Sequence, residues 1–415
     1  MPSRRTFIKI GAVAGAGIFI PTAAWRAFAS ATLPQTPLTS STIPQFVEPL
    51  TTFVGQRVSS TSFSVTMREF QQKVLPDSIY ATMPAPFNQG TFVWGYQVDG
   101  KPAFYPGFTI EARRGTPTTV KYVNSLPSPS SSKLEPLLTI DQTIHWADPL
   151  NAGSGTHDMG SFNPYAGTIP TVVHLHGAEV PSSSDGEPEA WFTRDGLHGK
   201  GYTTLSNAGS NAAVYQYPNT QQSTTLWFHD HALGVVRINI FAGLAGMYLL
   251  RDQFDTGQSN NCLGLPAGNQ EIELILQDRL FDTNGQLLFP DGTPTDNPSG
   301  LNGTPPNPGA HPWWIPEFFG DAIVVNGKTW PFLNVEPRRY RFRMLNAANA
   351  RFFQMTLVDS KTQAPGPAIW KIGSDGGLLD RPAKLSDGND PNSIPLFLAP
   401  SERADVIIDF TGQQG

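Results

Sequence analysis

Four histidines stand in two pairs, each with one residue between its members. His174 and His176 lie in VVHLHGAEV (172–180), and His229 and His231 in LWFHDHALG (226–234). Both stretches are rich in Val, Leu, Phe and Trp, the composition of a buried β-strand. A buried imidazole without a partner is costly, and two side by side are worse. In a strand, residues i and i+2 share a face about 6.6 Å apart. That spacing is awkward for clamping one ion with both rings of a strand. It suits two ions a few ångströms apart, each taking one ring from each pair. Neutral imidazole ligates copper, zinc, iron and nickel, so ring count alone does not choose the metal. The alternative is four core histidines bonded to backbone carbonyls. Two pairs on apolar strands, each followed by a small residue (Gly177, Ala232), favour the metal. His145, His157, His198 and His311 stand in Gly-, Pro- and Asp-rich stretches and read as surface residues.

Such pairs need strands to hold them, and the composition supplies strands. Only 15% of the 415 residues are charged, while Gly (39) and Pro (38) are abundant. That balance suits short strands joined by many turns, so the expected class is all-β, a sandwich or barrel fold. The length suggests two or three domains. Apolar runs at 62–75, 107–126, 171–177, 213–218, 224–232 and 245–252 form a first series. A polar, Gly- and Asn-rich stretch from Asp252 to Gly268 marks a boundary, and a second series begins at 270–282. A Pro/Gly/Asn-rich loop is expected at 290–309, and Asn326-Gly327 between β-formers signals a hairpin. RRYRFRML (338–345) puts Arg339, Arg341 and Arg343 on one face, either solvated or paired to a neighbouring domain. Cys262 is the sole cysteine, which excludes an internal disulfide; its turn-rich setting reads as a linker thiol.

The first 31 residues read as an export signal. Arg4 and Arg5 precede an apolar run (10–20) too short to span a bilayer, and small residues at 27–31 offer a cleavage site. The arginine pair specifies the twin-arginine export machinery as a partner and a periplasmic or extracellular location. Removing this segment, with its four basic and no acidic residues, takes the formal charge from −6 to −10. Nucleic acid and anionic membrane surfaces are poor partners for such a protein.

VVHLHG, SDGEPEAWF (184–192), YQYPN (215–219), LWFHDHALG, VNGKTWPFLNVEPRRYRFRMLNAAN and IGSDGGLL (372–379) resemble the multicopper oxidases, in particular bacterial spore-coat laccases and bilirubin oxidases. The resemblance implies tandem cupredoxin-like Greek-key β-barrels, with residues 32–252 as the first and 268–415 as a second, truncated one. It implies copper as cofactor, with His174 on a type 2 ion and His176, His229 and His231 on a type 3 pair. Asp185 matches an acidic residue that assists proton delivery; a turn-forming role is the alternative. The implied reaction couples one-electron oxidation of a phenolic or similar small molecule to reduction of O2 to water. The family's remaining cluster ligands and its type 1 site come from H-P-x-H-x-H and H-C-H segments, and neither occurs in these 415 residues. The expectation is an N-terminal portion of a longer oxidase, inactive alone, with a sheet edge left open. A non-catalytic exported scaffold of the same fold and a copper-tolerance cuprous oxidase are the competing readings. Intact histidines argue against the first, and the absence of a Met cluster among seven scattered Met argues against the second.

Overall fold

The computed structural model describes residues 35–413 except 139, 143, 152–164, 290–316, 389 and 391. The segment read as an export signal at 1–31, the loop expected at 290–309, His157 and His311 lie outside the described residues. The first half holds β1 (Ser62–Gln72), β2 (Thr91–Val98), β3 (Gly107–Arg113), β4 (Thr118–Asn124) and β5 (Val173–His176). It continues with β6 (Ala212–Tyr217), β7 (Thr224–Asp230) and β8 (Ala245–Arg251), plus short helices α1 (Asp77–Tyr80) and α2 (Val236–Ala242). The second half holds β9 (Glu271–Arg279), β10 (Ala322–Val325), β11 (Lys328–Thr329), β12 (Arg339–Asn346) and β13 (Phe353–Met355). It closes with β14 (Ile369–Ser374), β15 (Gly377–Leu385), β16 (Leu396–Leu398) and β17 (Arg403–Asp409). No helix among the described residues is long and apolar enough to cross a membrane.

Period-2 patterning builds the first core. Phe63, Val65 and Met67 of β1 turn inward between more exposed neighbours. The eight strands form two sheets, ordered β2-β1-β4-β6 and β3-β8-β7-β5. Tyr96 of one meets Phe228 of the other with ring centroids 5.0 Å apart. β7 and β8 are buried at every position, as central strands covered on both faces are.

The second half repeats the plan. In the first, β1 pairs antiparallel with β2 and parallel with β4, which pairs antiparallel with β6. In the second, β9 pairs antiparallel with β10 and parallel with β12, which pairs antiparallel with β17. In each half the parallel neighbours are joined by a long connection, since a hairpin can join only antiparallel strands. The seven-stranded sheet runs β11-β10-β9-β12-β17-β14-β15. β17, the last strand, returns to the middle of the sheet between β12 and β14, and among the described residues β11 and β15 form its two edges.

The polar stretch after β8 is more than a linker. Asp255 is buried there with Arg251, Glu271, Arg341, Arg343 and Asp405. Arg251 Nη1 donates to Glu271 Oε1 at 2.8 Å, Arg341 Nη1 to Asp255 Oδ1 at 2.9 Å, and Arg343 Nε to Glu271 Oε1 at 2.9 Å. Of the arginine stripe, Arg339 is exposed as a solvated face would be, whereas Arg341 and Arg343 are 1% exposed and ion-paired. The same guanidinium of Arg343 reaches Thr225 Oγ1 of β7 at 3.1 Å, so the network also grips a strand of the first unit.

Facing guanidiniums hold the Asp255 and Glu271 carboxyls well below their ordinary values of 3.8 and 4.5, against the opposing pull of burial. On acidification the unfolded chain therefore takes up protons first. The stabilisation is complete above about pH 5 and is lost progressively below it. The urea midpoint is expected to fall steeply from pH 5 to pH 3; a midpoint that stays level across that range would show these carboxylates are not held.

Candidate metal centre

β5 alternates strictly: Val173 and Leu175 are buried, while His174 and His176 are half-buried on the opposite face. Antiparallel pairing with β7 sets His174 directly opposite His229 and His176 opposite Trp227. β7 ends at Asp230, so the strand expected to run through His231 stops one residue short. There the chain bends toward α2, with His231 N bonded to Val172 O at 2.8 Å. The bend keeps the ring with the others. Ring centroids lie 5.7 Å apart for His174–His176, 5.7 Å for His174–His229 and 5.0 Å for His174–His231. His229 is 5.4 Å from His176 and 5.6 Å from His231. All four rings converge.

Hydrogen bonds decide which nitrogens are free. His174 Nδ1 donates to the main-chain oxygen of Asp185 at 2.7 Å, and His229 Nδ1 to that of Asp230 at 2.7 Å. Each ring then carries its lone pair on Nε2. His229 Nε2 faces His176 Nδ1 at 3.2 Å, the separation that two imidazole ligands have on one ion with bonds of about 2.0–2.1 Å. His231 Nδ1 is buried with no hydrogen-bond partner among the described residues. Also among the described residues, no three His, Cys, Asp or Glu side chains gather as a single-ion site. The rings offer paired donors instead.

Burial favours the neutral, ligating form. It pulls His176 down to about 4, with the Arg403 guanidinium and His174 adding to the effect. It also lowers His231, and it lowers His229 strongly. Arg403 comes from the second unit; its Nε donates to Thr225 O at 3.0 Å and its Nη1 pairs with Asp375 Oδ1 at 3.2 Å. Trp227 stacks on His229 at 4.0 Å.

Asp185 follows a turn at 182–184, and its carboxylate Oδ1 lies 3.5 Å from His174 Nδ1. The turn is pressed against β5 at Gly186 (φ +71), where an added Cβ would sit 2.0 Å from Val173 O. Only glycine tolerates both the left-handed backbone and that approach. Gly186→Ala is expected to cost at least about 1–3 kcal/mol and to pull the Asp185 carbonyl off His174. Denaturant melts would show the loss, and an unchanged midpoint would remove the constraint from this loop.

The other described histidines stay outside. His145 is half-exposed, 3.9 Å from Glu189. His198, read as a surface residue, is half-buried, stacked on Tyr202 at 3.7 Å with Nε2 2.6 Å from Ser210 O. Cys262 is exposed.

A family model described as "Multicopper oxidase" matches residues 162–255, which include all four histidines. A laccase from Bacillus stratosphericus is 38% identical over 375 residues, covering 90% of this chain and 59% of that one. A laccase from Bacillus subtilis is 36% identical over 373 residues, covering 90% and 58%. The chain belongs to the multicopper oxidase family. It spans 58–59% of the length of these two relatives. The McoA multicopper oxidase of Aquifex aeolicus shares the fold, with a TM-score of 0.56 at 23% identity over 88% of this chain and 58% of that one.

Three residues of this multicopper oxidase chain escaped the sequence reading as parts of the site: Trp227, Asp230 and Arg403. The first two sit inside LWFHDHALG, and their signal was adjacency to the ligand candidates. Arg403 is 174 positions from His229, and only the fold brings it near.

Proposed function

We propose that the chain carries the copper-binding half-site of a laccase-type oxidase. The observation that carries this reading is the convergence of four imidazoles, with Nδ1–H of His174 and His229 committed to main-chain oxygens and His229 Nε2 lying 3.2 Å from His176 Nδ1. His174 would hold a type 2 copper, and His176, His229 and His231 a type 3 pair. Bound copper supplies one-electron chemistry and the reduction of O2 to water, with electrons from a phenolic or similar donor. The residues' part is to present neutral nitrogens, to exclude bulk water through Trp227 and the buried face of β7, and to keep an acid nearby. Asp185, 40% exposed in its side chain, bridges solvent and His174 and would deliver protons there. A copper-free scaffold would gain nothing from four converging imidazoles, with His176, His229 and His231 held neutral by burial. The segment at 1–31 would direct export through the twin-arginine machinery, tested by fractionating cells that carry an Arg4→Lys, Arg5→Lys variant.

The decisive experiment loads the purified chain with Cu(II), desalts it, and measures copper by mass spectrometry and by electron paramagnetic resonance. Copper retained with nitrogen hyperfine structure supports the reading. No retained copper, or copper retained equally after His174 and His229 are both replaced by alanine, rejects it.

A further inference from the structure

We propose that Asp230, assisted by Asn239, is the positioning residue of this metal centre. The inference rests on the copper-site reading above. The Asp230 carboxylate is 0% exposed and accepts three N–H bonds. They come from Val172 N at 3.0 Å, Ala232 N at 3.2 Å and Asn239 Nδ2 at 2.8 Å. Val172 stands two residues before His174, and Ala232 follows His231 directly. Asn239 Nδ2 also donates to Pro170 O at 3.1 Å, tying α2 to the segment that enters β5. The main-chain oxygen of the same Asp230 accepts the Nδ1–H of His229 and so fixes its tautomer. One residue therefore aligns the approach to His174, the ring of His229 and the bend that carries His231.

The chemistry explains why the residue is aspartate. All three partners are neutral N–H donors, so among the described residues no cation repays the burial of this carboxylate. An asparagine fits the volume, but its amide would turn an N–H toward one of those donors. Only a carboxylate of this length accepts all three without presenting a donor of its own. Outer partners that orient histidine ligands carry about 10–100-fold in metal affinity.

The test compares Cu(II) binding by the chain with that of Asp230→Asn, Asn239→Leu and His229→Ala, each checked by circular dichroism. Asp230→Asn is expected to weaken Cu(II) about 10–100-fold and to change the hyperfine pattern of the bound ion. Asn239→Leu, which removes one of three donors, is expected to weaken it less, and it keeps the test open should Asp230→Asn fold poorly. Native affinity and an unchanged spectrum in both variants overturn the proposal. Lower thermal stability with an unchanged copper spectrum also overturns it, because the carboxylate would then serve the fold alone. If His229→Ala itself binds copper as the parent does, the underlying copper reading fails instead.

Discussion

His229→Ala is expected to lose copper almost completely, with affinity falling by more than the roughly 100-fold that an outer partner carries. His229, like His174, lies within 5.7 Å, centroid to centroid, of each of the other three rings, and it is the most deeply buried of the four. It is 4% exposed, and its Nδ1 is already committed to Asp230 O, so Nε2 is the one nitrogen it can offer. Alanine removes that donor and leaves His176 Nδ1 facing empty space. The truncation also opens a small cavity under Trp227, so the melting temperature should fall modestly. Loss of metal and loss of stability separate in a comparison with His198→Ala. That change removes a stacked, hydrogen-bonded imidazole away from the cluster and should leave copper content untouched. Equal copper in both variants would make the four rings ordinary core histidines.

A second large effect is expected at Glu271. Its carboxylate is fully buried and touches Arg251, Arg343 and Arg57 at 2.8, 2.9 and 3.2 Å. Glu271→Gln keeps the shape and removes the charge, leaving Arg251, Arg341 and Arg343 with Asp255, Asp405 and the partly exposed Glu111. Breaking a buried ion pair from one side costs about 3–5 kcal/mol, because the stranded charges cannot reach water. The surface pair Lys73–Asp77, with side chains 46% and 60% exposed, sets the contrast. Lys73→Ala should change stability by less than about 1 kcal/mol. Urea unfolding of the two variants checks this, and a similar shift in both would mean that the buried network contributes no more than a surface pair.

What could be read from the chain followed its local periodicity. The H-x-H pairs were legible because alternation alone puts His174 and His176 on one face. The turn at His231 was not, because it depends on a carboxylate that meets Val172 from a strand more than fifty residues away. The arginines of RRYRFRML were visible as a stripe, but their fate was not. Whether Arg341 faces water or Asp405 depends on the antiparallel register of β12 with β17, and its link to Asp255 depends on the boundary segment folding back. The helix α2 was missed because VRINIFA reads as one more apolar run, and no side chain caps its first turn. Asp185 was found beside His174 as the resemblance implied, yet its closer contact is through the main-chain oxygen, which any residue would supply.

The charged node between the two units bears on how such proteins can be recombined. A boundary that looks like a flexible polar connector invites the exchange of whole barrels between relatives, as if they were interchangeable cassettes. Here the seam is welded. A crossover anywhere from 252 to 268 would part Arg251 from Glu271, Arg341 and Arg343, while Thr225 would lose its bond to Arg343 within the strand that bears His229. Viable chimaeras should therefore inherit Arg251, Asp255, Glu271, Arg341, Arg343 and Asp405 as one block, and the natural unit of exchange is the pair of barrels rather than either one.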